Sequence, residues 1–180
     1  MDTEVIKITI DLGEVCDDVV TQCRLISKQL GTEVDSEIRA DIQSPDSDET
    51  RSIVCRAATE AIGQIKYAAQ RYLRVGRSED SNTLERLGSV TTVGDKDVVT
   101  YEKQEFKLYI PNFNLAVTDA LKSSMHKYVC DHIMWRFLQN QASEKAGEYK
   151  TLAETEDLGD ITVKLNARTT FRRAVFAEKS

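Results

Sequence analysis

The sequence predicts an α+β fold, mainly α: a bundle of three to four long helices with a small antiparallel sheet or a projecting β-hairpin. Three observations carry this. Residues 5–10 read Val-Ile-Lys-Ile-Thr-Ile, β-rich and alternating, the pattern of a half-buried strand. Several long stretches instead place apolar residues three and four apart, the spacing of one helix face. Two prolines and eight glycines in 180 residues leave few breaks, so the regular elements are expected to be long.

Asp11 is placed to cap a helix over 12–30, whose stripe is Val15, Val19, Val20, Cys23, Ile26 and Leu30, with Gly31 ending it. Residues 33–42 suit a short helix or strand. A turn at 44–47, around Pro45, leads into a second long helix over 48–74. Its first-turn Asp48 and Glu49 suit the positive end of the helix dipole, and Arg71, Arg74 and Arg77 suit the negative end. Its inner face carries Ala58, Ala61, Ala68 and Ala69, which lets a neighbouring helix approach closely.

Residues 75–94 are the least regular part. Residues 90–93, the Gly94-Asp95 pair and the run from 98 onward suggest a β-hairpin, a contact arm, continuing as a strand to 110. Phe106, Leu108 and Ile110 share one face of that strand. After Pro111, Asn112 or Asn114 caps a third helix. Its apolar residues, Leu121, Met125, Tyr128, Val129, Ile133 and Trp135 among them, cover so broad a face that burial on more than one side is expected. Helical pattern resumes over 144–155. Gly159-Asp160 reads as a turn, and Ile161, Val163 and Leu165 alternate as a last strand. Residues 1–165 are expected to form one domain, and residues 166–180 a basic tail.

Composition excludes several classes. Apolar residues make up 41% and charged residues 30%, which fits a globular protein. A net charge of -6 and a pI near 5.1 argue against a general nucleic-acid-binding surface. No apolar run approaches the roughly 18 residues of a membrane span, so no membrane association is predicted. The acidic start, Met1-Asp2-Thr3-Glu4, has no signal-peptide core. Cys16, Cys23, Cys55 and Cys130 form no CxxC pair and are expected to be free thiols in a reducing cytoplasm.

The residues offer little for catalysis. His126 and Cys130 lie four apart on the third helix, a spacing that zinc-binding helices use, but two ligands do not make a site. His132, two residues beyond Cys130, points about 200° away from it. The commoner role for such residues is helix packing. There is no phosphate-binding glycine loop, and the acidic groups 17–18, 46–49 and 154–157 read as solvated faces and helix-end charges. No enzyme, cofactor or metal is predicted.

The tail points to interaction instead. Arg168, Arg172, Arg173 and Lys179 surround Phe171, Val175 and Phe176. Terminal residues are usually more polar than this. Docking on a partner through Arg168, Phe171, Arg172, Arg173 and Phe176 is expected, against the plainer alternative of docking on its own domain. An acidic body and a basic tail also suit head-to-tail pairing of identical subunits, which gives a ring if the rotation closes.

The order of these elements resembles that of the head–tail connector (adaptor) proteins of tailed bacteriophages, in the form carried by phages and prophages of gut Bacteroidetes. The pieces that carry the likeness are the strand and helix over 6–30 and the helix over 48–73. They continue with the charged strand 101–110 (Tyr-Glu-Lys-Gln-Glu-Phe-Lys-Leu-Tyr-Ile) and Pro111-Asn-Phe-Asn114. The last are the cluster Met134-Trp-Arg-Phe-Leu138 and the Arg-rich tail. The tail departs from the family's usual Arg/Pro-rich ending in having no proline. The resemblance implies a virion structural protein: a neck-ring subunit, commonly in rings of twelve, assembled in the host cytoplasm. It implies binding to the portal protein and to the next neck or tail ring. DNA would pass through the channel without sequence-specific binding, and an acidic lumen would not hold its phosphates. A second reading is a soluble helical interaction or regulatory module of bacterial or prophage origin.

Overall fold

Alternation in the first strand decides where the core begins, because Ile6, Ile8 and Ile10 turn inward while Val5 and Lys7 stay exposed. The computed structural model describes residues 3–30, 36–43, 45, 48–73, 88–93, 96–101 and 103–168. In chain order its elements are β1 (Thr3–Asp11), α1 (Leu12–Gln29), α2 (Ser36–Gln43) and α3 (Asp48–Ala68). The strands β2 (Gly88–Val93), β3 (Lys96–Tyr101) and β4 (Lys103–Pro111) follow. The chain continues as α4 (Thr118–Leu138), α5 (Ser143–Thr151) and α6 (Leu158–Leu165). Short 3-10 turns cover Gln70–Tyr72 and Leu115–Val117, and a π-helical segment, Leu152–Asp157, joins α5 to α6. The fold is α+β and mainly α, as expected.

β1 and β4 pair antiparallel from Thr3↔Pro111 to Asp11↔Lys103. This register sets Ile6 opposite Leu108 and Ile8 opposite Phe106, so both strands bury the same face. β2 and β3 form a separate antiparallel hairpin with Val93 opposite Lys96. The strand expected over 98–110 is therefore two, β3 and β4, of which only β4 joins the core sheet.

Asp11 ends β1 and starts α1. Its carboxylate accepts from the Gly13 N–H at 2.9 Å and pairs with Lys103 at 3.0 Å. Lys103 and the Gly13 N–H together hold the Asp11 carboxyl below the usual carboxylate range against the opposing effect of desolvation. Past β4, Asn112 takes a φ of 53°, a left-handed conformation that Asn tolerates, and Asn114 caps the next turn through the Ala116 N–H. Asn114 thus caps the 3-10 turn Leu115–Val117, whereas α4 itself follows Val117 without a side-chain cap, so neither asparagine caps the long helix as expected.

α4 is the centre of the molecule. It packs on α3, α5, α1, α6, the π-helical segment and β1. The small residues Ala57, Ala58 and Ala61 of α3 are buried, as the close approach of two helices requires. α3 stops at Ala68, short of the expected end near 74; Leu73 instead bridges Leu108 of β4. Among the described residues, no helix is long and apolar enough to cross a membrane.

The expected turn at Gly159-Asp160 and last strand are corrected: residues 158–165 are helix α6. Ile161 and Leu165 are buried, but Val163 is 70% exposed. Residues i and i+4 share a helix face while i+2 lies across from them. Three apolar residues at alternate positions therefore suit either element, and packing against α3 and α4 selects the helix. Val163→Glu is expected to change stability by less than about 0.5 kcal/mol. Ile161→Ala should cost about 2–5 kcal/mol. Urea denaturation of both variants measures the difference; a strand with Ile161 and Val163 on one buried face would make both costly.

Candidate functional site

Of the predicted partner-binding residues, Arg168 lies within the described region and Phe171, Arg172, Arg173 and Phe176 lie outside it. Arg168 is held by its own domain. It forms an antiparallel bridge with Phe113, and Nη1 donates to the Leu165 carbonyl at 2.9 Å. Nη2 donates to the Tyr72 hydroxyl at 2.8 Å, and the guanidinium lies 5.5 Å from the Tyr72 ring centroid. The Tyr72 hydroxyl donates in turn to Asn166 Oδ1 at 2.8 Å. Arg168, the last described residue, is thus fixed by contacts from the 3-10 turn Gln70–Tyr72, from Phe113 after β4 and from the end of α6.

Enclosure of α4 brings polar side chains into the interior: Ser124 meets Asp160 and Lys164 of α6, and three further clusters form among the described residues. In the first, Asp131 of α4 and Asp157 of the π-helical segment are both buried. Lys127 reaches them from the surface, with Nζ 2.5 Å from Asp157 Oδ1 and 3.2 Å from Asp131 Oδ2. The Asp157 contact is a hydrogen bond; the Asp131 contact is charge attraction outside hydrogen-bond geometry, since that oxygen has no hydrogen-bond partner. Desolvation and the facing Asp157 push Asp131 up to about 6, against the pull of Lys127. Asp157 corrects the expectation that residues 154–157 form a solvated acidic face. The wider π turn shifts which residues face α4, and such turns often accompany functional sites.

In the second cluster, Glu60 of α3 joins Arg136 and His132 of α4. Arg136 Nη2 lies 2.6 Å and His132 Nε2 3.4 Å from Glu60 Oε2. Burial lowers His132 despite Glu60 beside it, so the ring favours its neutral form. Trp135 packs edge-on to His132, with its face 4.9 Å from the Arg136 guanidinium carbon and 5.4 Å from Lys150 Nζ. An open cleft of about 310 Å³ beside this cluster is lined by Arg56, Glu60, Arg136 and Asn140, among others.

The third cluster lies on another side of α4. His126 Nε2 is 2.8 Å from Asp18 Oδ2 of α1, so Nε2 carries the proton that the carboxylate accepts. Cys130 is one turn along the same side, its thiol 4.0 Å from the Val15 carbonyl. Desolvation raises its pKa, so the thiol is protonated. The donor atoms of Asp18, His126 and Cys130 all lie within 4.8 Å of one another. His132 faces α3 instead, as its place on the helical wheel requires. None of the four cysteines is in a disulfide; burial pushes Cys23 up to about 12.

Sequence reading picked out His126, Cys130 and His132 but missed their partners Asp18 and Glu60. It also missed Lys127, Asp131 and Asp157. The available signal was a polar residue, Asp131, inside the broad apolar face of the third helix, four residues from Lys127. No protein-family model, curated protein or solved structure matches this chain.

Because its folded pKa is raised, Asp131 contributes stability that is present below its unfolded value near 3.8 and lost as pH rises through about 6. Asp131→Asn removes the buried charge and keeps a group able to hydrogen-bond Asp157. In metal-free buffer, the variant is expected to melt higher than the parent at pH 7.5 and to lose that advantage at pH 4. Thermal melts at both pH values measure it; an equal advantage at both would assign the effect to packing.

Proposed function

We propose that this chain is a virion structural protein, a head–tail connector (neck-ring) subunit that binds a portal protein through its C-terminal end and lines a DNA channel. The observation that supports this most is the placement of its two candidate contact elements at opposite ends of β4. The β2–β3 hairpin ends at Tyr101, two residues before β4 begins at Lys103. Arg168, the last described residue, bridges Phe113, two residues after β4 ends at Pro111. Nine strand residues separate these points by about 30 Å at roughly 3.3 Å per residue. A ring subunit in a stack needs such polarity, one end for the portal and the other for a neighbouring subunit or the next ring.

Two further features are consistent with it. The hairpin pairs with no other described strand, which leaves its edges available to a second chain. The net charge of -6 suits a channel wall that lets DNA slide, because few phosphate contacts can form. Arg168 acts here as the hinge point from which residues 169–180 reach a partner, and its own side chain stays with the domain.

The test is to mix the full chain with an assembled portal ring and image the product by cryo-electron microscopy. A ring of subunits on the portal, with the segment after Arg168 at the contact, is the expected result. Removing residues 169–180 is expected to abolish portal binding while leaving the circular-dichroism spectrum and melting temperature unchanged, since Arg168 and its partners remain. A full-length protein that stays monomeric at every concentration and binds no portal would refute the reading.

A further inference from the structure

We propose that Asp18, His126 and Cys130 form a binding site for a divalent cation of the zinc class, joining α1 to α4. Two ligands come from one helix at i and i+4, where successive turns bring their side chains to one face. The third comes from the helix packed against it. The three donor atoms lie within 4.8 Å of one another, and Asp18 Oδ2 and His126 Nε2 are already 2.8 Å apart. A tetrahedral zinc ion, with ligands at about 2.0–2.3 Å, sets its donors roughly 3.4–3.7 Å apart. Closing around the ion therefore needs shifts of about 1 Å in side chains, with the backbones of α1 and α4 kept in place.

The environment suits this adjustment. The Asp18 side chain is 57% exposed, the His126 ring is 23% exposed, and Cys130 is buried beneath them. An ion approaching from solvent meets the carboxylate first and the sulfur last. Thiolate, imidazole and carboxylate together select zinc-class ions over magnesium or calcium, which take oxygen donors. Three protein ligands leave the fourth position to water. On binding, the Cys130 thiol releases its proton to solvent as the sulfur–metal bond forms. The His126 Nε2 proton leaves that nitrogen and the ring carries its proton on Nδ1, so the imidazole stays neutral. No electron changes hands.

The test uses the full chain, purified without a polyhistidine tag, stripped with chelator and titrated with Co²⁺. A thiolate-to-cobalt charge-transfer band that saturates at one equivalent and is displaced by Zn²⁺ is expected. Cys130→Ser should abolish the band, and Cys55→Ser, on α3, should leave it intact. Asp18→Asn changes an exposed side chain and should fold normally, while weakening Co²⁺ binding by at least about tenfold. Absence of the band at one equivalent, its persistence in Cys130→Ser, or wild-type affinity in a folded Asp18→Asn would each overturn the proposal. In those cases the three residues serve only as a hydrogen bond and a packed thiol. None of these readouts depends on ring formation or on a portal.

Discussion

The enclosure of one helix, buried at every position from Tyr128 to Met134, is the constraint from which the rest of the structure follows. α4 touches the sheet, the four helices α1, α3, α5 and α6, and the π-helical segment at once. A helix in that position cannot be amphipathic in the usual sense, and its unbroken buried run from Tyr128 to Met134 points to every side. It also cannot be wholly apolar and remain specific, because an all-apolar cylinder has many near-equivalent rotations about its axis. The polar residues Ser124, Asp131 and His132 break that degeneracy. Each has one direction in which a partner waits: Asp160 and Lys164 of α6 for Ser124, Lys127 and Asp157 for Asp131, Glu60 of α3 for His132.

This arrangement gives the acidic chain an unusual distribution of charge. Its strongest perturbations are internal, where carboxylates are desolvated beside the lysines and arginines that compensate them. Buried charges of this kind add little net stability compared with apolar residues of the same size, because desolvation opposes the Coulomb attraction. What they supply is orientation. A uniquely oriented core also holds in place the end of β4 at Pro111 and the bridge from Phe113 to Arg168.

The three polar clusters differ in what they could do. The Lys127–Asp131–Asp157 group is closed and buried, suited to holding helices together and sensitive to pH. The Glu60–His132–Arg136 group opens on a cleft but satisfies its own charges. The Asp18–His126–Cys130 group combines an exposed carboxylate, a partly exposed imidazole and a buried thiol. That mixed donor set is what favours the proposed cation there.

Local pattern in the sequence determined much of the fold. The strand at 5–10, the Asp11 cap, the two long helices, the hairpin around Gly94-Asp95 and the multi-sided burial of the third helix all follow from alternation, three-four spacing and turn residues. These are properties of a few consecutive side chains. Where the window was too short, the pattern was ambiguous: Ile161, Val163 and Leu165 fit a strand and a helix equally until α3 and α4 were there to bury two of them and leave the third in water. The partners of the buried polar residues were not legible at all. Asp18 and His126 are 108 residues apart, and Glu60 and His132 are 72 apart. Only the packing of α1 and α3 against α4 brings them together, because a hydrogen bond or a ligand set requires a distance of a few ångströms, and sequence separation carries no information about that distance.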